Sequence, residues 1–171
     1  MALTLYDASA PVFVNTLTSM RAWLDKAALE KSPEELIGAR LADDMRPLSA
    51  QYQMASDTAK NAIARLAGIE PPAMPDTEAS FAELQDRCDK TVAFIASIDP
   101  QVLNASEDRE VVLKFPSGMG YRWTGADYLR SFALPNFYFH ATTAYAILRA
   151  EGVALGKPDY LQHLGPPNLT S

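Results

Sequence analysis

The sequence predicts an all-α protein, a four-helix bundle with a small β-hairpin inserted before the fourth bundle helix. Three observations carry this. Along three long segments apolar residues recur at spacings of three and four, which places them on one face of a helix. A later segment, Asp127 to Arg149, is apolar on nearly every side, and such a helix belongs at the centre of a helical domain or partly in a subunit interface. Between the third and fourth segments a short stretch alternates at period two and turns back through Ser117-Gly118-Met119-Gly120, as a hairpin does.

Asp7 and Ser9 are suitable N-caps and Pro11 is tolerated in a first turn, so the first helix starts here. Its stripe is Phe13, Leu17, Met20, Leu24 and Ala28; Arg21, Asp25 and Lys26 face away, and Trp23, off the stripe, covers a seam. Ser32-Pro33-Glu34-Glu35 has the form of a capping box for a short helix that Gly38 ends. Asp43 and Asp44 are placed to cap the second long helix, whose stripe Met45, Leu48, Tyr52, Ala55, Ala59, Ala62 and Leu66 runs to a C-cap at Gly68. Its other face carries Gln53, Asp57 and Lys60, the last two spaced as a surface ion pair, with Gln51 on the flank of the stripe. Pro71-Pro72-Ala73-Met74-Pro75 is an extended linker to a third helix starting at Asp76 or Thr77. There Phe81, Leu84, Cys88, Val92 and Ile95 form the stripe, which makes Cys88 a core position. Asp99-Pro100 ends it. Val111, Leu113 and Phe115 supply one strand of the hairpin and Tyr121-Arg122-Trp123 the return, a pair that is marginal unless it packs on the helices. Thr124-Gly125-Ala126-Asp127 resembles a capping box for the fourth helix; Pro135 kinks that helix between Phe132 and Asn136, and Gly152 ends it. The tail, about residues 153–171 with Pro158, Pro166 and Pro167, is expected to be extended.

The 171 residues suit one domain spanning 1–171. A formal net charge of −6 offers no basic excess to displace counterions, which opposes nucleic acid and anionic membrane surfaces as partners. With Cys88 alone there is no intrachain disulfide, in keeping with a reducing cytoplasm. The first residues lack the basic and apolar regions of a signal peptide, and no apolar run approaches the roughly 18 residues of a spanning helix, so a cytoplasmic location is expected. The apolar fourth helix exceeds what three partners readily cover, which points to a homodimer. No Gly-rich phosphate loop, serine nucleophile elbow or Cys–His zinc spacing appears, which disfavours enzymes that need them.

Among candidate functional residues, His140 stands on the fourth helix, and three readings of it stay open: a buried imidazole satisfied by a neighbour, an acid–base or ligand contact, and a metal ligand. Asn136 precedes it by one turn and either satisfies a carbonyl freed at Pro135 or shares a pocket with His140. Gln51, Gln53, Asn136, His140 and Tyr145 together make the candidate ligand pocket, although Gln51 and Gln53 also suit inter-helix hydrogen bonds and Tyr145 belongs to an aromatic set suited to core or interface. No residue is assigned a catalytic role. Glu107, Asp108 and Glu110 around Arg109 read as a solvated approach to the hairpin.

Leu5-Tyr6-Asp7 with Pro11 and Phe13, Leu41-Ala-Asp-Asp-Met-Arg-Pro-Leu48, Gln51-Tyr-Gln-Met-Ala-Ser-Asp-Thr-Ala-Lys60, Arg65-Leu-Ala-Gly68, Phe81-Ala-Glu-Leu84 and the run Phe132 to Tyr145 resemble an uncharacterised family, domain of unknown function nineteen-ninety-three, within the DinB-like (DinB/YfiT) superfamily. The resemblance spans about Leu3 to Leu161 and implies a DinB-like four-helix bundle, often dimeric. It also implies a comparison with relatives that hold a divalent metal through three histidines, one on the second helix and two at i and i+4 on the last, some of which transfer low-molecular-weight thiols. Here Asn136 and His140 keep that spacing, while the second helix offers Gln51 and Gln53 in place of histidine, and His163 lies apart in the tail. No metal or other cofactor is therefore expected; if one is held, the set is His140, Asn136 and Gln51. The leading expectation is a small-ligand-binding protein or dimeric scaffold with a degenerate metal site, and the alternative is a zinc- or nickel-dependent thiol transferase or hydrolase.

Overall fold

The apolar stripes become four long helices in the computed structural model, which describes residues 3–166, 168 and 169. They are α1 (Ala10–Ala27), α3 (Leu48–Ala67), α4 (Phe81–Ala96) and α7 (Leu134–Ala150), joined by the short helices α2 (Pro33–Leu36), α5 (Pro100–Asn104) and α6 (Gly125–Tyr128) and followed by α8 (Lys157–Tyr160). α1 packs on α4, α4 on α3, α3 on α7 and α7 back on α1. The stripes meet inside this ring: Phe13, Leu17, Met20 and Leu24 are wholly buried, with Tyr52, Ala59 and Leu66 of α3, Leu84 of α4 and Phe137 of α7. Phe13 and Phe137 meet edge to face at 4.8 Å, and burial of such side chains stabilises by about 1.5–3 kcal/mol each before entropy is counted. The Tyr52 hydroxyl, carried deep into this core, donates to the Met20 carbonyl at 2.7 Å.

Helix starts depart from expectation where proline and serine compete with aspartate. α3 begins after Pro47, because the residue before a proline is held out of the helical region; Asp43 and Asp44 stay exposed in the preceding loop and cap nothing of α3. α4 begins at Phe81 rather than at Asp76 or Thr77. The Ser80 hydroxyl accepts the Glu83 N–H at 3.2 Å and the Glu83 carboxylate accepts the Ala79 N–H at 2.8 Å, fixing the first turn there. In α2 the Glu35 carboxylate accepts the Ser32 N–H at 2.8 Å as the capping box requires.

Two of the long helices end at glycine as expected. At Gly68 (φ 72°), Ile69 N–H reaches the Ala64 carbonyl at 3.0 Å and Gly68 N–H the Arg65 carbonyl at 3.3 Å. Gly152 (φ 91°) ends α7 in the same way, with Val153 N–H on the Leu148 carbonyl at 3.0 Å. Pro135 interrupts its helix, though less simply than a kink: the residues before it, Leu129–Ala133, coil as a π-helical turn that joins α6 to α7.

Strands β1 (Glu110–Lys114) and β2 (Gly120–Thr124) pair antiparallel, Glu110 opposite Thr124 and Lys114 opposite Gly120. The pair is held by packing on the helices, with Trp123 at 5.7 Å from Tyr128 and 5.6 Å from Phe132. At its base the backbone is so close that a Cβ on Gly125 would lie 2.1 Å from the Ser106 carbonyl oxygen.

The tail is not simply extended. Pro158 falls in the first turn of α8, where its missing N–H is tolerated, and a 3₁₀ turn follows over Gln162–Leu164. Trp23 explains why the segment coils: its indole donates to the Asp159 carbonyl at 3.1 Å and stacks on Tyr160 at 5.4 Å, while Lys26 pairs with the Asp159 carboxylate at 2.6 Å. Pro167 and Ser171, assigned to the same tail, lie outside the described residues, as do Met1 and Ala2. Among the described residues no helix is long and apolar enough to cross a membrane.

Candidate functional site

Met54, Thr58, Asn61 and Arg65 follow one another at helical spacing along α3, with Asp57 beside them. Across from them Tyr128, Phe132, Asn136 and His140 recur every four residues through α6, the π turn and α7. The two rows line a groove of about 350 Å³, which Leu113 of β1 closes at the hairpin end.

Two amide side chains fix the chemistry of this groove. Gln51 is buried and its Nε2 donates to the Arg46 carbonyl at 3.0 Å, a group that can only accept; its Oε1 is therefore the atom 2.9 Å from His140 Nδ1. In neutral His140, Nδ1 then carries the proton and Nε2 is left as an acceptor. Half-burial lowers the His140 pKa, so the neutral ring is the form present at pH 7. One turn away the Thr58 hydroxyl donates to the Met54 carbonyl at 2.6 Å, so it must accept from Asn136 Nδ2 at 2.7 Å, which leaves the Asn136 carbonyl oxygen without a partner among these bonds.

The other sequence-derived candidates lie elsewhere. Gln53 donates to Glu78 at 2.9 Å, on the far side of α3. Tyr145 packs edge to face on Trp23 at 5.5 Å and against Tyr160, on the α1 and α8 side. The structure thus brings Gln51 to His140, sets Asn136 on the same wall, and places neither Gln53 nor Tyr145 in the groove. Cys88 is 1% exposed, and burial pushes its thiol up to about 12.

Lys60 is not the surface partner the spacing suggests. It is buried, and it shares Asp57 Oδ1, at 2.9 Å, with the buried guanidinium of Arg87 at 2.8 Å. Arg87 also reaches Asp76 at 3.0 Å and Glu78 at 2.7 Å, and its Nε is buried without a hydrogen-bond partner among the described residues. Sequence reasoning passed over Arg87, although its place one residue before Cys88 and three after Leu84 sets it beside the apolar stripe of α4. A larger hollow, about 550 Å³, lies between the proline-rich linker and α4. Its acidic and basic side chains are mostly spent on one another, Arg87 on Glu78, Lys90 on Asp86, and Glu83 on the α4 cap, which leaves the α3–α7 groove as the place where polar groups remain available. Among the described residues no three of His, Cys, Asp and Glu converge so as to hold a metal ion.

Long helices around one core, with a small sheet closing a polar groove, define a mainly helical protein. The family described as Domain of unknown function (DUF1993) matches residues 5–161, and the chain belongs to that family. It is also similar to a solved structure, a DinB family member protein from Shewanella denitrificans, at 35% identity and a TM-score of 0.84, over 98% of this chain and 95% of that one. Comparison with curated proteins found no match.

Proposed function

We propose that this chain is a cytoplasmic, single-domain DinB-like four-helix bundle whose α3–α7 groove binds a small organic molecule, and that it works as a homodimer. The observation that carries the ligand reading is His140 Nε2, without a hydrogen-bond partner among the described residues and oriented by a buried Gln51 that is itself tied to a backbone carbonyl. Such bracing is what a site needs if an acceptor is to be held in one direction. The open Asn136 carbonyl oxygen on the same wall supports it. Pairing with a second copy is supported by Tyr138 and Phe139 at the start of α7, which are 39% and 57% exposed.

The donor set does not suit a resident transition metal. Gln51 spends its oxygen on the His140 Nδ1 proton, the part of an outer-sphere brace, which leaves one strong nitrogen donor and one amide oxygen. The alternative, a zinc- or nickel-dependent thiol transferase or hydrolase, draws support from the kinship with a DinB family member and from the i, i+4 spacing of Asn136 and His140.

Elemental analysis of protein prepared without an affinity tag, wild type and His140→Ala, separates the two. Wild type offered zinc or nickel and then dialysed should hold no stoichiometric metal. About one equivalent in wild type, lost in His140→Ala, would install the metal-dependent reading instead. Light scattering at micromolar concentration should give the mass of a dimer, and a monomer mass would remove that part of the proposal.

A further inference from the structure

Arg65 lines the same groove near its hairpin end and has no carboxylate partner among the described residues. Its Nη1 donates to the Tyr128 hydroxyl at 3.0 Å and its guanidinium lies 5.9 Å from the Tyr128 ring centroid; Nε and Nη2 have no acceptor among the described residues and are not sealed from solvent. The C-terminal end of α3 offsets part of this charge, but its last carbonyls are already taken by Gly68 and Ile69 N–H. Asp57, the acidic group on the same groove, stands eight residues back, about 12 Å along the helix, and is occupied by Lys60 and Arg87. The groove therefore has a half-buried cation at its hairpin end, near Leu113, and neutral acceptors, His140 Nε2 and the Asn136 oxygen, at the other, with Phe132 as apolar wall between them.

We propose that the ligand of this groove is a small carboxylic acid, its carboxylate on the free edge of Arg65, its apolar body on Phe132, and a hydroxyl or amine donor on His140 Nε2. The inference rests on the reading of the groove as a ligand site and adds the ligand's charge and polarity. A planar guanidinium with two open N–H groups matches a carboxylate in a fork. A single guanidinium, in a chain of net charge −6, favours a monoanion over a dianionic phosphate.

The test uses 3-(4-hydroxyphenyl)propanoate, which carries both groups, against its neutral amide and the corresponding phosphonate, titrated while the His140 and Asn136 side-chain resonances are followed. The acid should bind at least about tenfold more tightly than the amide and more tightly than the phosphonate, and lose affinity as salt is raised. Arg65→Gln should bring the acid to the amide's level, and Arg65→Lys, which keeps the charge, should restore part of the difference; circular dichroism checks that both variants fold. Equal binding of acid and amide, an unchanged affinity in Arg65→Gln, or preference for the phosphonate overturns the carboxylate assignment while leaving a ligand site in place. If neither acid nor amide moves either resonance up to about 10 mM, near the weak limit of useful affinity, the groove is not a ligand site and both readings fall.

Discussion

His140 can do chemistry only through the nitrogen that Gln51 leaves bare, so the tautomer is the first thing to verify. Long-range proton–nitrogen spectra at pH 7 should show Nδ1 protonated and Nε2 not; the opposite tautomer would mean that the Gln51 amide is turned over and the acceptor lost. Because burial depresses the folded-state pKa, the neutral ring contributes stability that is fully present above the ordinary value of 6.5 and is lost as pH falls through the folded value. His140→Gln should flatten that acid-side loss. Gln51→Met, which strands the Nδ1 proton of the half-buried ring, should cost about 1–3 kcal/mol in urea unfolding. Cys88, with its thiol near 12, should resist an aromatic disulfide reagent until the chain is unfolded, and rapid native modification would contradict its burial. Much of this site was legible: the i, i+4 spacing of Asn136 and His140 put both on one wall. Tyr145 was misplaced for a reason also legible, since five residues past His140 is about 140° round the helix. Gln53 stands about 200° from Gln51 by the same count, and only one of the two could face α7.

Ends of elements were less legible than their faces. The stripes of α1, α3 and α4 read directly from spacing because burial imposes the helical period, whereas a start depends on which of several adjacent residues holds the non-helical backbone angles of a cap. Asp43, Asp44, Asp76 and Thr77 all have the chemistry of caps, yet Pro47 and Ser80 have the position. Ser80→Ala should therefore cost about 1 kcal/mol of unfolding free energy, and Asp44→Ala should stay within about 0.5 kcal/mol of wild type. Equal losses at the two positions would show that the first turn of α4 is not held by the Ser80 hydroxyl. α8 escaped the sequence for a different reason. Four residues are too few to show a period, and the segment coils because Trp23 and Lys26, more than a hundred residues earlier, offer it a stacking surface and a charge.

At the scale of the whole molecule, Arg87 does for the polar side what Phe13 and Phe137 do for the core, joining segments far apart in the chain. It holds Asp57 of α3 and also Asp76, Glu78 and the Pro75 carbonyl of the linker, so three stretches depend on one guanidinium. Charge counts along a sequence cannot reveal such a convergence, because each ion taken alone looks like solvated surface. Burial by itself would raise the Glu78 carboxyl, but hydrogen bonds from Arg87 and Gln53 outweigh it and hold the pKa below 4.5. That contribution is present above pH 4.5 and is lost as pH falls through the folded value, so stability should decline on the acid side. Removing one member of a buried ion set costs about 3–5 kcal/mol when the partners are left sealed from water. Here Asp57 and Asp76 are 35% and 58% exposed and can turn to solvent, whereas Glu78, at 11%, cannot readily do so. Arg87→Met should therefore cost about 2–3 kcal/mol at pH 7, less than the sealed case, and should leave Lys60 as the remaining partner of Asp57. Hydrogen exchange in the same variant should quicken between Pro71 and Ser80 while the amides of α1 and α7 keep their protection. A loss below about 0.5 kcal/mol, or faster exchange spread evenly over all four long helices, would show that Arg87 does not fasten the linker.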